Sequence, residues 1–572
     1  MRYNVSTMYL RKSSRKNNDG SIVTYYQLAH NERHPVTRKP VSKILHTFGR
    51  ADKIDREALV RLCRSIARVC EVDVIDRHAD CRQPTLFKDQ CGEEIQFIKT
   101  TELGTIMIID ELWQRLGIKE SLKALIKDKG TQSDYERALF LLTANRLCEP
   151  LSKLGTWSNW KEKVYLPSCA QVSLHHLYEA MDFLFDHAAQ VEKSVFFHTA
   201  NLLNLEVDLI FYDTTTASFA IDYEDVEEED GEPGLRKFGH SKEGVWTPQV
   251  VVALAVTREG LPVRCWVFPG NTSDAKTIEH VRADLRGWKL GRALFVADSG
   301  MNSQENRREL SRACGKYLLA SRMASVSQVK KEVLSKRGRY TAIKDNLMAK
   351  EVIVGDGERR TRYVLCYNPK EAKRQKLHRQ ELIKQLEEAL SCHKNHQVTC
   401  QWAIDLLASR RYKRYLTITK GRKLRIDRQA VRDSRRYDGK WVIETNDDTI
   451  SFEDAACGYK GLMVIERCFR SLKKTQIKMT PMYHWAPRRI EAHIRICVLA
   501  LLIQRVAEME CRDSWFNIRK ELGKLQATEC RTKNHVFFKR NEVSERTKEI
   551  FKSLKTPLPK SLLRVSDVGI QA

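Results

Sequence analysis

No apolar run in this 572-residue chain is long enough to cross a membrane. The longest, "ICVLALLI" at 496–503, falls far short of the ~18 residues a span needs. Sixteen cysteines are present, yet no C-x-x-C pair occurs. The opening "MRYNVSTMYLRKSSRK" is polar and basic where a secretory signal would be apolar. These absences predict reduced thiols and a cytoplasmic protein. A basic amphipathic helix and a lipidation signal are also missing, which argues against a membrane surface as partner. One cluster, "SCHKNHQVTC", offers zinc-type ligands in Cys392, His393, His396 and Cys400. Its spacing fits no common finger, and a solvated loop after a charged helix accounts for it.

What the chain has in excess is positive charge. Lys and Arg number 99 against 73 Asp and Glu, a formal charge of +26. A field of that sign favours a polyanion, and nucleic acid is the usual one. Hydrophobic residues make up 42% and charged residues 30%, enough apolar content for real cores in roughly three to five domains.

Residues 1–100 read as a basic β-unit, with turns at "NNDG" and "FGRAD", followed by a helical pattern at 55–70. Residues 101–205 are helix-periodic and suit a DNA-binding or dimerisation domain, or equally a helical packing domain alone. From 206 the pattern changes to apolar, β-branched strands. The order over 206–329 is β-β-β-α-β-α-β, which predicts a mixed α/β sheet flanked by helices, as in a ribonuclease H-like core. A β-rich insertion fills 330–447, the core resumes over 448–510, and 511–572 reads as a helical tail. Within the insertion, residues 401–440 carry thirteen Lys/Arg and four Asp, with Tyr412, Tyr415 and Tyr437 interleaved. Basic strands with aromatics suit backbone contact and base stacking on DNA. The acidic tract "DYEDVEEEDGE" at 222–232 reads as a solvated loop between strands.

Two carboxylates stand out. Asp213 lies inside the apolar strand "LIFYDTTT", where burial is expensive without a partner or a metal. Asp298 closes the strand "LFVADSG". In the deduced order their strands are neighbours, so the two carboxylates would repel each other without a cation. Mg²⁺ or Mn²⁺ is the fitting one, and two-metal phosphoryl transfer usually takes a third carboxylate from another element.

That third carboxylate is found in "GYKGLMVIERCFRSLKK" at 458–474, where Glu466 stands alone among five cations. Read as one continuous helix, Tyr459, Leu462, Glu466, Arg470 and Lys473 share a stripe about 80° wide. Val464, Ile465, Cys468, Phe469 and Leu472 lie opposite it. Glu466 therefore reads as a metal ligand, with Arg470 and Lys473 as phosphate contacts.

Tyr459, Glu466 and Lys473 match Tyr-x₂-Arg-x₃-Glu-x₆-Lys, and "FYDTTT", "FPGNTSDAKT" and "VADSGM" fit the same pattern. The chain thus resembles the bacterial insertion-sequence transposases with an Asp-Asp-Glu site. One departure is that Leu462 stands where the family has Arg, with Arg470 one stripe position on. The resemblance implies that Asp213, Asp298 and Glu466 hold Mg²⁺ for DNA cleavage and strand transfer, and that Tyr459 and Lys473 hold the DNA end. It further implies a homodimer on double-stranded DNA, working at the bacterial nucleoid. A catalytically silent end-binding protein or repressor derived from a transposase is the alternative. Another ribonuclease H-like nuclease is disfavoured by the long insertion and the Tyr/Lys stripe. In the later helix, His493 reads as a packing histidine, since two-metal chemistry needs no base.

Overall fold

The structure, a computed structural model, describes residues 8–16, 22–33, 40–50, 87–88, 94–129, 134–226, 234–357, 360–393 and 396–567. The helix expected at 55–70 and most of the acidic tract lie outside these residues. Two compact units divide the chain, Met1–Gln96 and Phe97–Ala572. In the first, strands Met8–Lys16, Ile22–Arg33 and Pro40–Arg50 form an antiparallel sheet in sequence order.

The second unit is built on a ten-stranded mixed sheet. Its strands are β1 (Leu209–Ser218), β2 (Lys237–His240), β3 (Trp246–Val256), β4 (Pro262–Pro269), β5 (Leu294–Ala297), β6 (Tyr317–Ser321), β7 (Thr341–Lys344), β8 (Leu347–Val354), β9 (Thr361–Tyr367) and β10 (Lys440–Thr445). Their spatial order is β7-β8-β9-β10-β6-β5-β1-β3-β2, with β4 also paired to β3. Only the β1–β5 and β5–β6 pairs are parallel.

Strand periodicity divides the apolar side chains between two cores. Leu209 and Phe211 enter one, together with Val296 and Leu318, and Ile210 and Tyr212 enter the other, together with Phe295 and Leu319. Both faces of the central strands are thus covered, which is why they read as unbroken apolar runs. On one face lie α1 (Thr277–Gly287), through Ile278, Val281 and Leu285, and α2 (Gln304–Ser311), through Leu310. On the other lie α3 (Phe452–Lys460), α4 (Met463–Arg470) and α5 (Pro487–Cys511). The same core continues into helices Gly104–Arg115, Tyr135–Cys148 and Leu174–Asp186. Pro487 opens α5 at a position where its missing N–H is not needed.

Two sequence expectations change here. The insertion is not mainly β: β7 to β10 extend the central sheet, and helices Pro369–Cys392, Gln401–Ala408 and Arg428–Ser434 make up much of the rest. The C-terminal segment is not only helical either. Strands Gln526–Arg531, His535–Arg540 and Leu562–Asp567 join Glu94–Glu102 in one sheet, where the Thr101 hydroxyl donates to the Ala527 carbonyl at 3.2 Å. These short strands take their partner from the far end of the chain, which local periodicity cannot reveal.

Candidate active site

Parallel pairing fixes the height of the two aspartates. Val296 pairs with Phe211 in the last matched step of β5 on β1. Asp213 and Asp298 each lie two residues further on, Asp213 in the middle of β1 and Asp298 just past the end of β5. Ligands of open α/β sheets bind outside the carboxyl ends of strands such as β5, where Asp298 lies.

Asp213 is half-buried, and its Oδ1 accepts the Thr214 N–H at 2.8 Å. Burial is the main force that pushes its carboxyl up to about 6. The Thr214 N–H and the Lys242 ammonium oppose that rise, and the carboxylates of Asp274 and Asp298 add to it. Asp298 Oδ1 accepts the Tyr459 hydroxyl at 3.2 Å. Burial raises the Tyr459 phenol, followed by the charge of Asp298 and the hydrogen bond to it, then by Asp213 and Glu466. Tyr459 therefore lies within the field of all three carboxylates.

Glu466 projects from α4, which buries Ile465, Cys468 and Phe469 against the sheet. Glu466 itself is exposed and has no hydrogen-bond partner among the described residues. Also among the described residues, no three His, Cys, Asp or Glu side chains close into a metal-binding set. The donor chemistry still suits a hard divalent cation. Asp213 is an acid whose ionisation is opposed by burial and by two like charges, and Glu466 lacks a partner.

A model of the transposase DDE domain matches residues 215–503, half of the chain. The match opens two residues after Asp213 and includes Asp298 and Glu466. This chain belongs to the DDE transposases. Residues 10–76 match the N-terminal domain of the IS1634 family transposases, which places the transposase among those of insertion sequences. No curated protein matches it. Among solved structures, the piggyBac transposase in its synaptic complex with hairpin DNA, seen by cryo-electron microscopy, is 10% identical. That likeness covers 78% of this chain and 76% of the other with a TM-score of 0.30, a level that carries no structural inference.

The single helix expected over 458–474 is broken. Helix α3 ends at Lys460, a turn at Gly461–Leu462 leads into α4, and Ser471–Thr475 forms one wider π turn. Tyr459 thus belongs to the helix before Glu466. A side chain has no room at the turn, since a Cβ on Gly461 would come within 2.5 Å of the Phe211 ring. Tyr459 still faces Asp298, and Lys473 lies 3.5 Å from the Thr215 hydroxyl on β1.

Lys473 is not a free cation. Its ammonium donates to Glu243 at 2.6 Å, and its side chain is only 12% exposed. Arg470 is exposed and has no ion-pair partner among the described residues. Three residues beside the site were not singled out from sequence. Asp274 accepts from the Thr214 hydroxyl at 2.5 Å and from Lys242 at 2.9 Å, and Lys242 and Glu243 share the turn before β3. Asp274 precedes α1, and an acid at a helix start was the one available signal.

The acidic tract is less solvated than expected at its start. Asp225 takes the Arg236 guanidinium and the Arg236 N–H, and both side chains are largely buried. In the Cys/His cluster, His393 stacks on Trp402 at 4.3 Å and His396 donates to the Leu390 carbonyl at 2.8 Å.

Proposed function

We propose that the transposase binds the ends of its own insertion element and cuts and joins DNA there by phosphoryl transfer, on a ribonuclease H-like core. The observation that carries this reading is the matched height of Asp213 and Asp298 on adjacent parallel strands, with Tyr459 in the field of both and of Glu466. The central order β4-β3-β1-β5-β6, antiparallel and then parallel, supports the core assignment.

Asp213, Asp298 and Glu466 would hold Mg²⁺, with Mn²⁺ as a substitute. When bound, the ion would supply Lewis acidity toward a phosphoryl oxygen and a more acidic nucleophile. Tyr459 donates to Asp298 and fixes that carboxylate's rotamer. Arg470 presents a free guanidinium to a backbone phosphate, which would do the work of the Arg absent at Leu462. Lys473 reaches DNA only once Glu243 releases it. The helical segment 101–205 and the basic insertion 330–447 would extend the DNA contact, and two copies would pair two ends.

The test is labelled terminal DNA of the element incubated with Mg²⁺ and either the native protein or Glu466→Gln. Glu466 is exposed and unpartnered, so the variant is expected to fold and bind DNA normally. Metal-dependent nicking that disappears in the variant supports the reading. Tight binding without cleavage by the native protein, in Mg²⁺ and in Mn²⁺, overturns it and leaves a DNA-binding protein.

A further inference from the structure

A cavity of about 620 Å³ opens beside the start of α5. Arg146, Lys153, Lys478, His484 and His493 line it, with Tyr178 as an aromatic wall. Arg146 and Lys153 are 7% and 8% exposed. Two buried cations side by side normally come with carboxylates, and among the described residues neither is paired with one. Arg146 donates to the Leu151 and Lys478 carbonyls and to Asn145 Oδ1. Lys153 donates to His493 Nδ1 at 2.7 Å, and His493 Nε2 in turn donates to the Met479 carbonyl at 3.0 Å. The acid beside this cluster, Asp182, is already bound by Arg488 at 3.4 Å and Arg489 at 3.0 Å.

The electrostatic consequences follow from that imbalance. Burial, and then the neighbouring Arg146, bring the Lys153 ammonium down to about 7. Burial, and then Lys153, Arg489 and Arg146, bring the His484 imidazole down to about 3. His493 is driven well below its usual range, by burial first and then by Lys153. Positive groups oppose one another here, and an entering anion would relieve all of them together. Lys478 is exposed at the rim, so the charge extends from the buried floor to solvent.

We propose that this cavity is a phosphate site, with Arg146 and Lys153 as deep contacts and Lys478 and His484 at its mouth. The group bound is a tetrahedral phosphate oxyanion, carried by a DNA backbone or free in solution. A DNA source rests on the function proposed above; binding of the oxyanion itself does not. The rim follows Lys473 by only a few residues, so a strand held near Glu466 has a short path to it.

The test uses the full chain with EDTA, melted in sodium phosphate or sodium sulfate against sodium chloride of equal ionic strength. Phosphate is expected to raise the melting temperature by about 2–3 °C near saturation, as for any ligand of the folded state alone. Lys153→Met, which removes the charge and keeps the volume, is expected to lose that rise. Should that variant fail to fold, Lys478→Gln at the exposed rim is expected to shift the phosphate midpoint at least about threefold. Asp213→Asn is expected to keep the full response, which separates this cavity from the three-carboxylate site. Equal melting in phosphate, sulfate and chloride overturns the proposal, and so does a phosphate response that both cavity variants retain in full. Terminal duplex DNA then distinguishes the source. Loss of one backbone contact lowers the salt dependence of binding by about one unit in log–log slope. That loss in Lys153→Met assigns the cavity to DNA, and an unchanged slope beside a lost phosphate response assigns it to the free ion.

Discussion

Replacing Asp213 by Asn is expected to stabilise the metal-free transposase while abolishing cleavage. The carboxyl sits at about 6 in the fold, against about 3.9 in an unfolded chain. At 1.36 kcal/mol per unit, ionisation of this one group costs the native state about 3 kcal/mol above pH 6. Its folded value is raised, so the native state holds the proton more tightly and stability falls as pH rises from about 4 to 6. Below pH 4 the carboxyl is protonated in both states and the penalty vanishes. Asn keeps an oxygen for the Thr214 N–H and carries no charge, so it removes the penalty without leaving a donor unpaired. In a chain of this length the gain corresponds to roughly 1–3 °C in the transition of the large unit. The assay is a melt of both proteins with EDTA at pH 4 and pH 7.5, repeated at pH 7.5 with Mg²⁺. The variant is expected to lead at pH 7.5, to match the native protein at pH 4, and to gain nothing from Mg²⁺. A variant that melts lower at pH 7.5, or whose lead is the same at both pH values, refutes the reasoning.

Gly461→Ala places a methyl group against the Phe211 ring, so α4 must move outward. The expected cost is about 1–3 kcal/mol, with cleavage of terminal DNA reduced by about 10²-fold through displacement of Glu466; native-like turnover would show that the turn has slack. Glu243→Gln frees Lys473 from its carboxylate. The salt slope of DNA binding is expected to steepen by about one unit, and an unchanged slope would mean that Lys473 never reaches a phosphate. Glu136→Ala removes the acceptor shared by Trp113 Nε1 at 2.7 Å and the Arg137 guanidinium at 2.6 Å. Leaving Arg137 with one carboxylate, Asp110, is expected to cost about 3–5 kcal/mol, read as a fall in denaturant midpoint with DNA cleavage intact at low temperature.

The reach of sequence reading here followed the range of the interactions involved. Asp213 and Asp298 were legible because strands buried on both faces admit no other acid: Leu209 to Tyr212 and Leu294 to Ala297 are wholly apolar. The stripe from Tyr459 to Lys473 was legible in composition and wrong in geometry. The helix gives way to a turn at Gly461, which packs against the Phe211 ring with no room for a side chain, and a tertiary contact of that kind leaves no periodic trace. Yet the break and the π turn leave Tyr459 beside Asp298 and Lys473 beside Thr215, so the grouping survives a change in the path of the backbone. Lys242, Glu243 and Asp274 were missed for the opposite reason. They lie in turns, where periodicity says nothing, and they act through partners on other elements: Asp274 through Thr214 of β1, and Glu243 through Lys473. Their pairings have a chemical consequence. Lys242 tempers the charge on Asp213, and Glu243 occupies Lys473. A cation entering among the carboxylates competes with the first of these contacts, and a phosphate approaching Lys473 competes with the second. On the proposed function, the turn that carries both residues would couple metal entry to DNA entry, and the affinity of Glu243→Gln for DNA is then expected to depend less on Mg²⁺ than that of the native transposase.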